Sequence, residues 1–485
     1  MPKTAKTIFN TTEKSNFILN MKTRDYWKYN LKIMQLFLIL MPIFSIVLEF
    51  AKVYSVPSMA LSIAGVFAMV FVFIGYMKSV TPKQLILPSV LAGGMVVWGI
   101  VSLYNCYYPK VAMFGSDGRA EGLLSIVFYG CFFLLGAQLG TDDNRLKLVR
   151  SMLIMTFAEC VWALLQVLPI GFPSYYRSLE PFLIFDVFLP SGVTGSPVFF
   201  ASLLCMMEVP AVLCSVFETE KKNRIFAWIC AILFVILSVK TQCILGIAGM
   251  AFSILVSVIC IFVKKEGKQG GIRLGALLVA FVIAMGWVYI SPSMNGSYSR
   301  ATGQSEAIPN AMTLYDGGIF WKDSAYRLEV SGYPINGSNN VYGDFAIDST
   351  SETYKRLWKV TTDIIKQYPL AGTGEDNLVY AQMHESLIIN QNPNTFDRAY
   401  NFYLQMAGTT GIPMLLLFLA LMVTALKNGA QELKEKENQW LHIAIFGAVV
   451  VYLAVMMIGS SCLTVAPLFW MLAGCCCRMG KEEEE

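Results

Sequence analysis

Three arginines, Arg119, Arg356 and Arg398, sit in polar stretches beside long apolar runs. A guanidinium is a planar fork of donors that matches the oxygens of phosphates, so arginines at the mouths of apolar segments are candidates for holding an anion. The stretch 291–402 also carries Trp321, Tyr326, Trp358 and Tyr368. Their faces could pack on the apolar faces of sugars, or could build a small core of that stretch's own. Gly372 and Gly374 of GTGEDN read as a turn whose amides could also contact an anion.

The elements that must place these residues follow from composition. Of 485 residues, 55% are apolar and 14% charged, where soluble domains carry about 25% charge. So few charges cannot cover the surface of a soluble chain this long, which excludes an ordinary soluble enzyme and a disordered protein. The apolar residues gather instead into about twelve segments of membrane-spanning length. The expected fold class is therefore an all-α polytopic membrane protein. Residues 1–32 form a cytoplasmic N-terminal segment, and 33–290 hold helices one to nine. Residues 291–402 form a large loop domain, 403–476 hold helices ten to twelve, and 477–485 form a tail.

Orientation comes from the basic residues. Roughly two thirds of the 37 Lys and Arg fall on the side shared by the two termini, which makes both termini cytoplasmic by the positive-inside rule. The loop 291–402 and all three arginines then lie outside. No cleavable leader precedes the first span, so retention without processing is expected. Most of the 12 Cys fall inside spans, which leaves no external disulfide framework, and Cys475, Cys476 and Cys477 read as small residues at a span end. No metal-ligand spacing occurs, and the net charge of +4 follows the topology rather than marking a nucleic-acid partner.

Within the loop, Ser349 and Glu352 have capping-box spacing before apolar positions Leu357, Trp358, Thr361, Ile364, Ile365 and Tyr368, so a helix should run to Pro369. Lys355, Arg356, Lys359 and Asp363 fall on its polar side. A second helix is expected from near Thr395 into span ten, which would place Arg398, Asn401 and Gln405 on one polar, substrate-facing stripe. Glu159 and Glu208 fall inside spans, where they are either hydrogen-bonded structural carboxyls or groups coupled to an ion. His442 reads as structural.

The runs KRLWKVTTDIIKQYPLAGTGEDN and FDRAYNFYLQMAGTTGIPML resemble the signature region of the O-antigen ligase and O-antigen polymerase family. That region has an Arg before a Trp helix, a Gly-x-Gly turn after a Pro, and a His-Asn pair leading into a span. FGSDGRAEGLLSIVFYG and TGSPVFFASLL are similar to further family segments, so the resemblance covers most of the chain.

The resemblance implies a glycosyltransferase of the GT-C type acting outside the cytoplasmic membrane. It would move a polyprenyl-diphosphate-linked glycan to a hydroxyl on a glycan or lipid acceptor during surface polysaccharide assembly, with no cofactor and no metal. Arg119 and Arg356 match family positions and would contact the diphosphate, with Arg398 nearby; Asn401 would orient sugars. Where the family has His, this chain has Tyr400, a poor base at neutral pH with a pKa of about 10. His384 is the alternative proton acceptor. Where many members have Arg after span seven, Gln242 stands here, with Lys240 as a nearby point cation. A lipid-linked glycan flippase or other polysaccharide transporter is the alternative class. It would need buried charge continuing to the cytoplasmic side, whereas the polar candidates cluster outside.

A tag at either terminus should react with an impermeant reagent only after cells are permeabilised, and a tag within 291–349 should react in intact cells. The opposite accessibility overturns the orientation.

Overall fold

The structure, a computed structural model, describes residues 21–51, 56–77, 85–116, 119–167, 190–241, 243–263, 267–290, 350–381, 398–433 and 440–478. Among the described residues the regular structure is helical, with no strand. The helices are α1 (Thr23–Ala51), α2 (Val56–Met77), α3 (Ile86–Ser102), α4 (Pro109–Phe114), α5 (Leu123–Ala137), α6 (Asp142–Val167), α7 (Pro197–Phe217) and α8 (Lys221–Lys240). They continue as α9 (Ile244–Val263), α10 (Gly267–Ile290), α11 (Thr350–Gln367), α12 (Phe402–Thr410), α13 (Ile412–Glu432), α14 (Trp440–Val455) and α15 (Ala466–Cys477).

Among the described residues eight helices are long and apolar enough to cross a membrane, and they fall in α1, α2, α3, α6, α7, α8, α9 and α13. Shorter apolar helices lie within α5, α10, α14 and α15. The chain is a multi-pass membrane protein. Peripheral helices keep apolar side chains on the outside, as at Val90, Val97 and Ile100 of α3 and at Val279, Val282 and Ile283 of α10. Such faces are stable against lipid, where they would be costly in water.

The bundle is organised around α7, whose apolar span is entirely buried. Its sequence, PVFFASLLCMMEVPAVLCSVF, is apolar on every face apart from Glu208 and small serines, which suits a helix surrounded on every side. Ser196 caps it by accepting from the Val198 amide at 3.3 Å, with Pro197 in the first turn, where its missing N–H costs nothing. Helices α6, α8, α9 and α14 pack around it. On the other side of the bundle α5 and α15 press together through glycines. A Cβ at Gly474 would meet the Phe133 carbonyl, and one at Gly136 would meet the carbonyl of Met471. Small residues allow this close approach of backbones, which supplies packing energy where no hydrophobic effect separates helix from lipid.

The end predicted to be cytoplasmic is tied by polar clamps. Arg150 of α6 grips Glu218 through two hydrogen bonds, Nε–Oε2 at 3.1 Å and Nη2–Oε1 at 2.7 Å. Buried Arg145 donates to the Arg478 carbonyl at 2.7 Å, and His442 Nε2 lies 2.8 Å from Asp142 Oδ1, which accounts for His442 as a structural residue. Cys475, Cys476 and Cys477 are buried within α15, as the reading of small packing residues requires. Among the described residues no cluster of His, Cys, Asp and Glu could hold a metal.

Two expectations need correction. The tenth span is not one helix, because Gly411 adopts φ 88° and splits it into α12 and α13. The Gly411 amide closes α12 on the Ala407 carbonyl, and the next amide, of Ile412, donates to the Pro369 carbonyl at 2.8 Å. Nor does α12 begin near Thr395. Its cap is Asn401 in an extended conformation, with Tyr400 at φ 46° just before it, so Arg398 lies off the helix and the expected stripe does not form. Local side-chain capping by Asn401 outcompeted the apolar periodicity.

By contrast α11 occupies the expected region, with Leu357, Thr361 and Ile364 buried and Lys355, Lys359 and Asp363 exposed. The expected cap Ser349 lies outside the described residues.

Replacing Gly474 by Val should lower stability by about 3 kcal/mol, because the obstacle is backbone and cannot give way. Gly130→Ala in α5, where an added Cβ meets nothing, should leave the melting temperature in detergent unchanged or slightly raised. Equal effects of the two substitutions would contradict the packing of α5 on α15.

Candidate functional site

At the end of the bundle opposite those clamps, four chain segments meet. The segment entering α5 brings Ser116, Arg119 and Glu121. The turn after α11 brings Glu375 and Asp376, the segment entering α12 brings Arg398, and the connection from α14 to α15 brings Ser461. Arg119, Glu121 and Arg398 are each at most 6% exposed.

Glu121 is the joint between the two arginines. Its Oε2 lies 3.6 Å from both Arg119 Nη2 and Arg398 Nη1, and its Oε1 accepts from the Ser461 hydroxyl at 2.6 Å and the Tyr129 hydroxyl at 3.3 Å. Two guanidinium groups held this near each other repel, and in a poorly polarisable interior a carboxylate between them offsets that repulsion. Arg119 Nε also pairs with Asp376 Oδ1 at 2.8 Å, while Asp376 Oδ2 accepts from the Ser116 amide and hydroxyl at 2.6 and 2.8 Å. Arg398 donates to the Ser461 carbonyl at 2.5 Å and stacks over the Phe199 ring of α7 at 4.3 Å. Arg119 and Glu121 thus belong to a buried network, not to a surface ion pair.

A cleft of about 630 Å³, part of it open to solvent, adjoins this network. One wall is polar, with Arg119, Glu121, Glu375, Gln405 and Ser461; the other is apolar, with Met95, Ile126, Met406, Met414 and Trp470. Several hydrogen bonds hold the rim. Trp98 Nε1 reaches the carbonyls of Leu370 and Thr410 at 3.1 and 3.2 Å, tying α3 to the loop after α11, and Asn377 accepts from the Tyr108 amide at 2.9 Å.

Glu375 differs from the other carboxyls. It sits on the cleft wall and accepts from Thr409 Oγ1 at 3.0 Å. Burial pushes its pKa up to about 8, with Asp376 and Glu121 adding to the rise, while the Thr409 hydrogen bond and Arg119 act against it.

The other sequence candidates are placed as follows. Asn401 caps α12, accepting from the amides of Tyr403 and Leu404 at 3.1 and 3.0 Å. Gln405 accepts from the Ala399 amide at 2.9 Å. The amides of Thr373 and Gly374 donate to the carbonyls of Gly408 and Thr409 at 3.1 and 2.8 Å, so the Gly-x-Gly turn closes the end of α12 rather than cradling an anion. Tyr400 is buried behind the cleft and Lys240 is buried at the end of α8, and neither lines the cleft. Arg356 lies on α11, with its side chain outside the described ones; His384, Gln242, Trp321 and Tyr326 lie outside the described residues.

Glu159 Oε2 accepts from the Val193 amide at 2.7 Å, as a structural carboxyl would. Glu208 is fully buried in α7, and neither of its carboxyl oxygens has a hydrogen-bond partner among the described residues.

Sequence reading missed Glu375, Asp376 and Ser461 as members of the site. The signal available was the acidic pair directly after the Gly-x-Gly turn, which is chemically unlike an anion cradle.

Residues 222–419 match the family model described as O-antigen ligase. The matched segment contains Arg356, Glu375, Asp376 and Arg398, while Arg119 and Glu121 precede it and Ser461 follows it. The match supports the family resemblance read from the sequence over that segment, which is similar to the O-antigen ligases. No curated protein matches the chain.

Glu121→Ala should destabilise the protein by about 3–5 kcal/mol, since it leaves two guanidinium groups without their shared counter-charge. Thermal unfolding in detergent is the measurement, and a loss under about 1 kcal/mol would show that the arginines are held apart by other means.

Proposed function

We propose that this O-antigen ligase-type membrane protein transfers a glycan from a polyprenyl-diphosphate carrier to an acceptor hydroxyl outside the cytoplasmic membrane. The acceptor is either a second lipid-linked glycan, which makes a polymerase, or a surface carrier, which makes a ligase. The observation that supports this most is the buried pair Arg119 and Arg398 converging on Glu121 beside a cleft that is half apolar.

The chemistry follows from charge. As the bond from the anomeric carbon to the diphosphate breaks, the phosphate oxygens gain negative charge, so cations fixed beforehand stabilise the transition state more than the ground state. Arg119 and Arg398 cost little reorganisation, because carboxylates, the Ser461 carbonyl and the Phe199 ring already hold their forks. Arg356 on α11 is a further proposed cation, and Lys240 and Gln242 are proposed to help from the end of α8. Tyr400 and His384, the expected helpers at the acceptor, and Asn401, the expected sugar contact, have weaker support, since Asn401 serves as a helix cap. The apolar wall of Met95, Ile126, Met406 and Met414 suits the first isoprene units of a lipid carrier, next to α3 and α13, whose outer faces are apolar.

Cells lacking the protein should accumulate lipid-linked glycans. Single repeats indicate a polymerase and long unattached chains a ligase, whereas a failure to move repeats outward supports the transporter reading. Arg119→Lys, which keeps the charge and loses the fork, should cut transfer by about tenfold or more. Arg356→Ala should abolish product without lowering membrane abundance. Full transfer by both variants removes the diphosphate grip from the mechanism.

A further inference from the structure

The three carboxyls at the cleft divide into two kinds. Glu121 lies within ion-pair distance of two arginines and accepts from two hydroxyls, and Asp376 pairs with an arginine and accepts from an amide and a hydroxyl. Glu375 has no Lys or Arg within ion-pair distance among the described residues, and its side chain has Thr409 as its hydrogen-bond partner. It also forms part of the cleft wall, where a bound hydroxyl could reach it.

Thr409 gives this carboxyl an unusual partner. Its Oγ1 lies 3.0 Å from Glu375 Oε2 and 3.0 Å from the Gln405 carbonyl, yet it carries one proton. When Glu375 is protonated its own O–H donates to Thr409, which donates to Gln405. When Glu375 is ionised, Thr409 turns its proton to the carboxylate. Both states are satisfied without moving a heavy atom.

Resting on the glycan-transfer reading above, we propose that Glu375 is the general base that takes the proton from the acceptor hydroxyl. In the step, the acceptor O–H proton passes to a Glu375 carboxylate oxygen while the acceptor oxygen bonds to the anomeric carbon. The bond from that carbon to the diphosphate oxygen breaks, and its electron pair leaves on the diphosphate beside Arg119 and Arg398. Glu375 then returns its proton to solvent through the open side of the cleft. This assigns the role that the sequence left between Tyr400 and His384 to a residue the family's His-Asn pair does not supply.

The groups facing Glu375 are Thr409 from α12, Asp376 beside it in the turn, and Arg119 and Glu121 from the segment entering α5. Together with burial they leave its pKa near the working range of a base, pushed up to about 8. The base must be ionised, so turnover should rise with pH through about 8 and then level. The fold favours the protonated form, so the carboxyl weakens the folded state increasingly between its ordinary value of 4.5 and about 8. Glu375→Gln should remove that part of the pH dependence of melting.

The test uses the full-length protein in detergent and lipid-linked oligosaccharide extracted from cells lacking it, with transfer and donor binding measured separately from pH 5 to 9. Glu375→Gln should lower the transfer rate by about 10²-fold or more while donor binding stays within about threefold. Transfer within about threefold of wild type, or loss of donor binding along with transfer, overturns the assignment. If Glu375→Gln does not fold, Glu375→Asp should keep measurable transfer with a displaced pH profile, and an undisplaced profile overturns the assignment. Absence of turnover by the wild-type protein overturns the glycan-transfer reading itself.

Discussion

The cleft end of this bundle depends on one carboxylate shared by two guanidinium groups. Arg119 arrives on the segment before α5 and Arg398 on the segment before α12, and Glu121 is the group on which they meet. Each charge alone would be costly to bury. Placed together, with Asp376, Ser461 and Tyr129 taking the remaining directions, they form a cross-link among four segments far apart in the chain. The same interaction that fastens these segments also sets Arg119 on the polar wall of the cleft.

The glycine turn after α11 illustrates how one motif can serve two needs. Its amides are consumed in closing α12, so it does not offer an anion cradle. Closing that helix end carries Glu375 and Asp376 to opposite duties. Asp376, at φ 57°, pairs with Arg119, while Glu375 lines the cleft with the Thr409 hydroxyl as its partner. Burial and the neighbouring carboxyls raise the proton affinity of Glu375, which is what suits it to the proposed role.

Much of the protein was legible from its residues. The apolar segments, the amphipathic helix before Pro369, the structural reading of the Cys run and the family resemblance all follow from composition, periodicity and short runs of sequence. What was misread involves competition between local and distant partners. Apolar spacing across 403–426 reads as one helix, but Asn401 finds the α12 amides and Gly411 takes a left-handed backbone that breaks the run. Arg398 was recognised as a cation, although the helix face on which it was placed does not exist. Its actual neighbours, Phe199, Glu121 and Ser461, come from three other segments.

The sequence by itself determined that this chain is a multi-pass membrane protein, which family segment it carries and which arginines stand beside apolar runs. Those properties depend on residue type and on spacing over one or two helical turns, which are local quantities. Only the tertiary structure decided that Arg119 and Arg398 share Glu121, that Asp376 pairs with Arg119 and that Glu375 has a hydroxyl partner instead. A carboxyl's charge state depends on which groups lie within a few ångströms and how much water reaches it. Packing of segments distant in the chain sets both, and no spacing along the chain encodes either.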